Sequence, residues 1–181
     1  MAEPPPVLPD LLAPGLRLVF CGSAPGAVSA ARGAYYAHPG NRFWRVLHEA
    51  GLTPRRLAPA EYPHLLRLGI GLTDMAKHAS GNDDQLPPGA YDPEGFAARI
   101  RAVRPQALAF TAKAPAAAFL GRPTGALRYG RVEGVADFPP LWVLPSTSGQ
   151  ASRFWDDRPW HALGAWFRAE APPPQPPEGP A

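Results

Sequence analysis

Two polar residues stand directly after apolar runs, where buried strands are expected to end. Ser23 and its turn follow the run Leu16–Cys21, and Asp74 closes a second run that begins at Gly69. Short continuous apolar runs are typical of strands buried on both faces of a parallel sheet, and open sheets of this kind bind ligands at the edge where the strands end. A carboxylate there can accept a proton from water. We therefore expect the chemistry of the chain at this edge, with Asp74 as the candidate base.

The turn after the first run is bounded by Gly22 and Gly26. Glycine lacks a Cβ, so both positions would let a flat ligand approach the backbone closely. Turns of this kind also connect strands to helices in many α/β proteins without binding anything. The turn alone therefore leaves a binding role and a purely structural role open.

Three segments of the chain, in this order, carry a more specific pattern. The turn reads Gly-Ser-Ala-Pro-Gly, and it is followed by Gly33–Trp44 and by Leu144–Arg153. Together they resemble the mismatch-specific uracil-DNA glycosylase and thymine-DNA glycosylase family, whose first motif is G-x-N-P-G and whose late motif is roughly N-P-S-G-x-S-R. The similarity extends from about Leu12 to Trp166. The resemblance implies an enzyme that removes uracil from mismatched duplex DNA.

The resemblance also implies roles for individual residues. Ser23 and Tyr36 correspond to positions that bind the flipped base, through backbone amides at the turn and through an aromatic face. Tyr35 takes the stacking role if the loop register differs, and an aromatic that only anchors its own loop is the structural alternative. The late motif aligns with the family's intercalating segment, which makes Gln150 the wedge that fills the vacated stack and Arg153 a phosphate or partner-base contact. The DNA-binding residues implied are Ser148, Gly149, Gln150 and Arg153.

One departure from the family pattern concerns catalysis. Ala24 stands where the first motif has Asn, and Ala can neither orient nor deprotonate water. Fold and substrate class are expected to survive this change, as in a related branch of the superfamily. Asp74 is the predicted replacement because it aligns with a polar family position facing the base pocket, although a strand-ending turn is its structural alternative. Asp92 is the second candidate, but its Asp-Pro-Glu setting is explained by helix capping.

The order of apolar runs and helical patterns predicts an α/β fold. We expect a three-layer α/β/α domain with a central parallel four-stranded sheet, and the resemblance implies the strand order 2-1-3-4. The third and fourth strands are predicted at Ala107–Thr111 and Leu141–Leu144, and a long polar and aromatic loop at Ser29–Asn41. The glycine-punctuated stretch Gly125–Phe138 leaves a minor strand or hairpin open. Helices are predicted after Asn41 up to Gly51, at Tyr62–Leu68, after Asp92, at Ala114–Leu120 and at Trp160–Glu170.

Length and composition favour one domain. The 181 residues carry a formal charge of +3, which is compatible with nucleic acid but does not require it. We divide the chain into a loosely packed or disordered Pro-rich leader at 1–14, a glycosylase domain at 15–170 and a Pro-rich disordered tail at 171–181. The single cysteine, Cys21, is expected in the core.

No Cys or His spacing in the sequence is typical of a zinc or iron-sulfur site, so we expect neither a metal nor another cofactor. No signal peptide or membrane-spanning run is visible, and we expect a cytoplasmic monomer that acts on duplex DNA. Two alternatives stay open. The domain could bind damaged DNA without cleaving it, or it could be an unrelated hydrolase of free nucleosides, although a wedge segment has no use in the latter.

Overall fold

The computed structural model describes residues 2–169, and its centre is a five-stranded sheet. The predicted apolar runs form four parallel strands whose residues are all buried. Continuous burial on both faces explains why these strands lack an alternating pattern. The sheet order is β2-β1-β3-β5-β4, with β1 at Leu18–Gly22, β2 at Ile70–Asp74, β3 at Leu108–Phe110, β4 at Gly130–Val132 and β5 at Leu141–Val143.

The strand count is the first correction to the sequence-based fold. The predicted order of the four parallel strands is confirmed, with β5 as the predicted fourth strand, but β4 adds an antiparallel edge strand beside it. β4 is only partly buried because it closes the sheet and one of its faces meets solvent. Such a strand contains no apolar run, which is why a count of apolar runs gives four strands.

Five α-helices of residues 2–169 surround the sheet, and the two side chains predicted as caps accept hydrogen bonds from the first turns of two of them. Asn41 Oδ1 accepts a hydrogen bond from the Phe43 amide at 2.9 Å, and Asp92 Oδ1 accepts one from the Gly95 amide at 2.9 Å. The predicted long loop after β1 is wrong in its first part, where α1 forms. The helices are α1 at Ala27–Arg32, α2 at Phe43–Glu49, α3 at Pro93–Val103, α4 at Lys113–Leu120 and α5 at Arg158–Ala169.

Four short 3₁₀ helices complete the regular structure of residues 2–169. The helix predicted at 62–68 is part of a longer 3₁₀ segment, because Pro63 lies inside it and cannot donate a backbone hydrogen bond. The 3₁₀ helices cover Pro59–Leu68, Asp83–Gln85, Thr124–Ala126 and Gly149–Phe154. Within the described part of the chain, no helix is long and apolar enough to cross a membrane.

Alternate side chains of β1 enter two separate cores, one on each face of the sheet. Phe20 lies in the first core, with its ring 5.4 Å from Phe43 of α2 and 5.7 Å from Trp160 of α5. Cys21, which is 1% exposed, faces the second core together with Phe96 of α3. The predicted three layers are therefore confirmed.

The leader is more ordered than its proline content predicts. Leu11 exchanges two backbone hydrogen bonds of 2.9 Å with Leu72 in β2, and Leu8 is 1% exposed in the first core. The expectation of loose packing is thus wrong for this part of the leader, whose non-proline residues supply the backbone donors. The predicted tail, residues 171–181, lies outside the described residues.

Candidate active site at the carboxyl edge of the sheet

The strand ends bring Ser23 and Asp74 together at one edge of the sheet. Gly22, the last residue of β1, is the register partner of Asp74, the last residue of β2. Beyond the strands the pairing continues, because the Met75 amide donates to the Gly22 carbonyl at 2.8 Å and the Ala76 amide donates to the Ser23 carbonyl at 2.8 Å. The turn after β1 is therefore held directly beside the carboxylate. We call this edge, where the parallel strands end, the carboxyl edge.

The Asp74 carboxyl group lies inside the protein. The residue is 3% exposed, and its Oδ2 atom is buried without a hydrogen-bond partner. Burial raises the pKa of this carboxyl to about 7, because the charged form loses its hydration. A general base works best when its pKa lies near the working pH. Asp74 therefore has the environment of a proton acceptor, whereas a side chain that merely ends a strand would be paired in a local turn.

Gly22 gives this carboxylate the space that it occupies. A Cβ atom at position 22 would lie 2.7 Å from Asp74 Oδ1 and 3.0 Å from the Tyr36 hydroxyl. Both distances are shorter than a normal contact, so any side chain would displace the two groups. The glycine is thus required for close approach rather than for an unusual backbone conformation.

Replacing Gly22 tests this packing. We expect Gly22→Ala to lower the free energy of unfolding by roughly 1–3 kcal/mol, the usual cost of an added methyl in a filled interior. Gly26→Ala is the matched control, since a Cβ there meets nothing within 4 Å and the backbone φ of −66° suits alanine. Urea denaturation of both variants gives the comparison. Equal stability of the two variants would show that a Cβ atom at position 22 fits without displacing its neighbours.

Tyr36 projects toward the same edge from the loop that precedes α2. Its ring stacks on Phe43, with centroids 3.9 Å apart, and its hydroxyl lies 3.1 Å from Thr111 Oγ1. Its φ of 52° places a non-glycine residue in the left-handed region, a strain that is frequent at functional sites. Tyr35 is 2% exposed and its hydroxyl donates to the Pro9 carbonyl. Tyr35 therefore anchors the loop, and the half-buried Tyr36 is the aromatic at the site.

Two further residues at this edge were not predicted. Thr111 follows β3 directly, and the same strand-end argument that selected Asp74 would have found it. The Tyr91 hydroxyl lies near Ser23 and Asp83, and the Asp92 amide donates to the Met75 carbonyl at 3.1 Å, so the loop before α3 is attached at this edge. No local pattern in the sequence connects Tyr91 with Ser23. By contrast, the Asp92 carboxylate is exposed and occupied in capping α3.

The late motif forms the 3₁₀ helix at Gly149–Phe154, directly after β5 at the same edge. Ser148 Oγ accepts a hydrogen bond from the Gln150 amide at 3.2 Å, which fixes the start of this turn. Gln150 and Arg153 are exposed. Phe154 is also exposed, at 66%, with the Arg153 guanidinium 5.7 Å from its ring centroid.

The late motif contacts the loop that carries Tyr36. The Arg42 amide donates to the Thr147 carbonyl at 2.9 Å, and its guanidinium donates to Ser152 Oγ at 3.2 Å. The loop that carries Tyr36 and the late motif therefore pack directly against each other. The roles assigned to Ser23, Tyr36 and Gln150 stay predictions, since geometry alone does not identify a ligand.

The residues at this edge do not form a metal-binding group. Within residues 2–169, no cluster of three or more His, Cys, Asp or Glu side chains could hold a metal ion. The hydroxyls of Tyr36 and Thr111 near Asp74 are weak ligands, and the nearby Asp10 carboxylate is paired with Lys77 and Arg99. The arrangement is suited to proton transfer beside a bound planar group.

Comparison with known proteins identifies a family for almost the whole chain. The family model described as the Uracil DNA glycosylase superfamily matches residues 9–170. The fold is also similar to the solution NMR structure of a protein from Methanosarcina acetivorans, described as a candidate uracil DNA glycosylase. The TM-score is 0.64 at 21% sequence identity, and the match covers 89% of this chain and 96% of that chain. At this identity the structural likeness shows a common fold.

Proposed function

The chain belongs to the uracil DNA glycosylase superfamily, and on that premise we propose that it removes uracil from G·U mismatches in duplex DNA. The proposed enzyme is a monofunctional DNA glycosylase of base excision repair, acting as a cytoplasmic monomer. The observation that carries this proposal is the buried Asp74 carboxyl, which lies beside Gly22 with one oxygen unpartnered. It supplies the acid-base group that Ala24 does not.

The base must first leave the duplex, because its glycosidic bond is inaccessible inside the stack. We propose that the flipped uracil enters the carboxyl edge, where Tyr36 offers an aromatic ring and the turn at Ser23 offers backbone groups. Phe43 supports the Tyr36 ring from one side, and the hydrogen bond to Thr111 holds its hydroxyl. A ring fixed in this way loses little freedom when a base stacks on it. Exposed Gln150 fills the vacated stack.

Hydrolysis then needs an activated water and a stabilised leaving group. As the bond between the sugar carbon and the base nitrogen breaks, positive charge develops on the sugar and negative charge on the base. Asp74 accepts the proton of the attacking water, and its charge favours the cationic sugar. Backbone amides of the turn stabilise the departing base in a site with little water. The products are free uracil and an abasic site in an uncut strand.

The two lysines of the chain support a monofunctional reaction. A glycosylase that also cuts the strand uses an amine nucleophile to form a Schiff base. The Lys77 amine lies 2.6 Å from Asp10 Oδ1 and donates to the Leu8 carbonyl, so it is buried in an ion pair. Lys113 lies 4.6 Å from the ring centroid of Tyr129, at the start of α4. The Lys77 amine lies near Asp74 but is held by these partners, and neither lysine lies in a motif of the family.

A second candidate function is recognition of damaged DNA without cleavage. The observation in its favour is Ala24, which replaces the polar residue that activates water in the family motif. Under this proposal the surface of Tyr36 and Gln150 binds the lesion, and Asp74 has no proton to accept. A measurement of base release separates the two candidates.

We expect the purified protein to release uracil from labelled duplexes containing G·U, with abasic sites revealed by alkaline cleavage. Activity should persist in excess EDTA, because within residues 2–169 no cluster of three or more His, Cys, Asp or Glu side chains could hold a metal ion. Matched duplexes containing G·C are the control. Tight binding to the G·U duplex without release would favour the binding module, and loss of activity in EDTA with recovery on adding a divalent ion would contradict the metal-free mechanism.

A further inference from the structure

The leader brings a half-buried carboxylate, Asp10, to the far side of β2. The Val7 amide donates to the Lys77 carbonyl at 2.7 Å, and the Leu11 amide donates to the Leu72 carbonyl at 2.9 Å. Asp10 lies between these two attachments. Leu8 is buried on one side of it, so the backbone holds Asp10 against the strand that ends in Asp74.

Asp10 makes three polar contacts with this strand and its neighbours. Its Oδ1 atom lies 2.6 Å from Lys77 Nζ and accepts a hydrogen bond from Thr73 Oγ1 at 2.7 Å. Its Oδ2 atom forms an ion pair with Arg99 Nε at 3.2 Å. One carboxylate from the leader therefore partners two cations, one in the loop after β2 and one on α3.

Both cations stand close to Asp74 without pairing with its carboxylate. Lys77 Nζ directs a further hydrogen bond to the Leu8 carbonyl at 2.9 Å, and Arg99 Nη2 donates to the backbone carbonyl of Asp74 at 3.1 Å. Asp74 Oδ2 keeps no partner. With Asp10 and Asp74 both ionised, the four groups sum to zero charge, and without Asp10 they would carry an excess positive charge.

We propose that Asp10 is a positioning residue for the reaction: it holds Lys77 and Arg99 in ion pairs and so keeps both cations from neutralising the Asp74 carboxylate. The proposal rests on the function proposed above, in which Asp74 is the base. Under this proposal the leader contributes to the reaction, because Asp10, which adjusts the charge around Asp74, belongs to the leader rather than to the sheet.

The direction of the effect follows from the charges that face Asp74. Asp10 raises the pKa of Asp74, whereas Lys77 and Arg99 lower it, each by less than the effect of burial. Across the site, burial raises the pKa values of Cys21 and Tyr36 well above their ordinary range, so both stay neutral. Loss of the Asp10 charge leaves the cations free to stabilise ionised Asp74, which makes it a weaker base.

The test is a direct titration of the Asp74 carboxyl carbon by ¹³C NMR in the full chain. In Asp10→Asn we expect the midpoint to fall by about one pH unit or more, the usual effect of an unpaired cation on a nearby carboxylate. In Lys77→Met the Asp74 midpoint should rise, because the substitution removes a positive charge that lowers the pKa of Asp74. Glu49→Gln is the control, since it removes a carboxylate from an exposed ion pair with Arg45 and should leave the midpoint in place.

An unchanged Asp74 midpoint in Asp10→Asn would overturn the proposal, whatever the enzyme does. If that variant does not fold, Lys77→Met decides, and a midpoint that fails to rise counts against it. The pH profile of single-turnover uracil release gives the second readout. In Asp10→Asn we expect the acidic limb of this profile to shift to lower pH together with the Asp74 midpoint. The plateau rate should fall severalfold, because Asp74 is then a weaker base. Midpoints that move while the limb stays fixed would uphold the role of Asp10 and contradict Asp74 as the base.

Discussion

Asp74→Asn should reduce single-turnover uracil release by about a hundredfold or more, the typical contribution of a general base. The amide keeps the size of the side chain but cannot accept the proton of the attacking water. In the unmodified protein, release should increase with pH and level off above about 7, where the Asp74 carboxyl is ionised. Rapid-quench measurements on a G·U duplex across this range provide the comparison.

Asp92→Asn is the control for this loss, because Asp92 caps α3 through its side chain and asparagine caps equally well. Its rate should stay near that of the unmodified protein. A collapse in Asp92→Asn beside a normal rate in Asp74→Asn would transfer the role of base to Asp92. Full activity in both variants would mean that backbone electrostatics alone drive the reaction.

The same substitution should stabilise the fold at neutral and alkaline pH. The pKa of Asp74 is about 7 in the native protein against an ordinary value of 3.8, so the native state binds the proton more tightly than the unfolded chain. Stability therefore declines as pH rises from about 4 to 7, and the cost reaches a few kcal/mol once the carboxyl is ionised. Asp74→Asn removes this cost above pH 7 and changes little near pH 4. Urea unfolding at the two pH values measures the difference.

Gln150→Ala should weaken base flipping and leave the fold intact. The side chain is exposed at the start of the 3₁₀ helix after β5, where only its backbone amide contributes to the turn. If it fills the vacated stack, its loss should cost on the order of tenfold or more in release from stable pairs, whose opening costs a few kcal/mol. The loss should be smaller for G·U, which opens more easily.

Gln106→Ala is a matched control for the wedge, since Gln106 precedes β3 at the opposite edge of the sheet. Release of uracil from A·U and G·U duplexes by both variants gives the comparison. If Gln150→Ala matches the unmodified protein on both duplexes, Gln150 does not act as the wedge, and the exposed Phe154 on the same segment becomes the next residue to test.

The sequence predicts those parts of the fold that depend on local pattern. Four apolar runs give the four parallel strands, and the capping side chains of Asn41 and Asp92 give two helix starts. α1 is missed because its six residues, three of them alanine, are too few to show a helical period. β4 lies in the stretch where a minor strand or hairpin is an open possibility, but the strand count omits it because a partly exposed edge strand needs no apolar run. Each missed element is specified by its packing rather than by its own pattern.

In the site, too, local pattern predicts some residues, whereas others are specified only by packing. The strand-end argument selects Asp74, whose position beside Gly22 follows directly from the parallel register. The partners that set its environment come from distant parts of the chain, since Asp10 is 67 positions before Lys77 and Arg99 lies on α3. The prolines around Asp10 indicate loose packing, yet the contacts are made by the residues between them. Contacts between residues so far apart in the chain produce no regular spacing in the sequence from which they could be predicted.

Cys21 makes the opening of β1 directly measurable. It is the only cysteine of the chain, it is 1% exposed, and burial raises the pKa of its thiol well above the ordinary range. Because the thiolate is the reactive form, oxidants and alkylating reagents should react with this residue only when the strand separates from its neighbours. Thiol labelling therefore counts transient openings of the strand that ends at Gly22. It also follows that the folded protein offers oxidants no reactive thiol under the oxidising conditions that damage DNA.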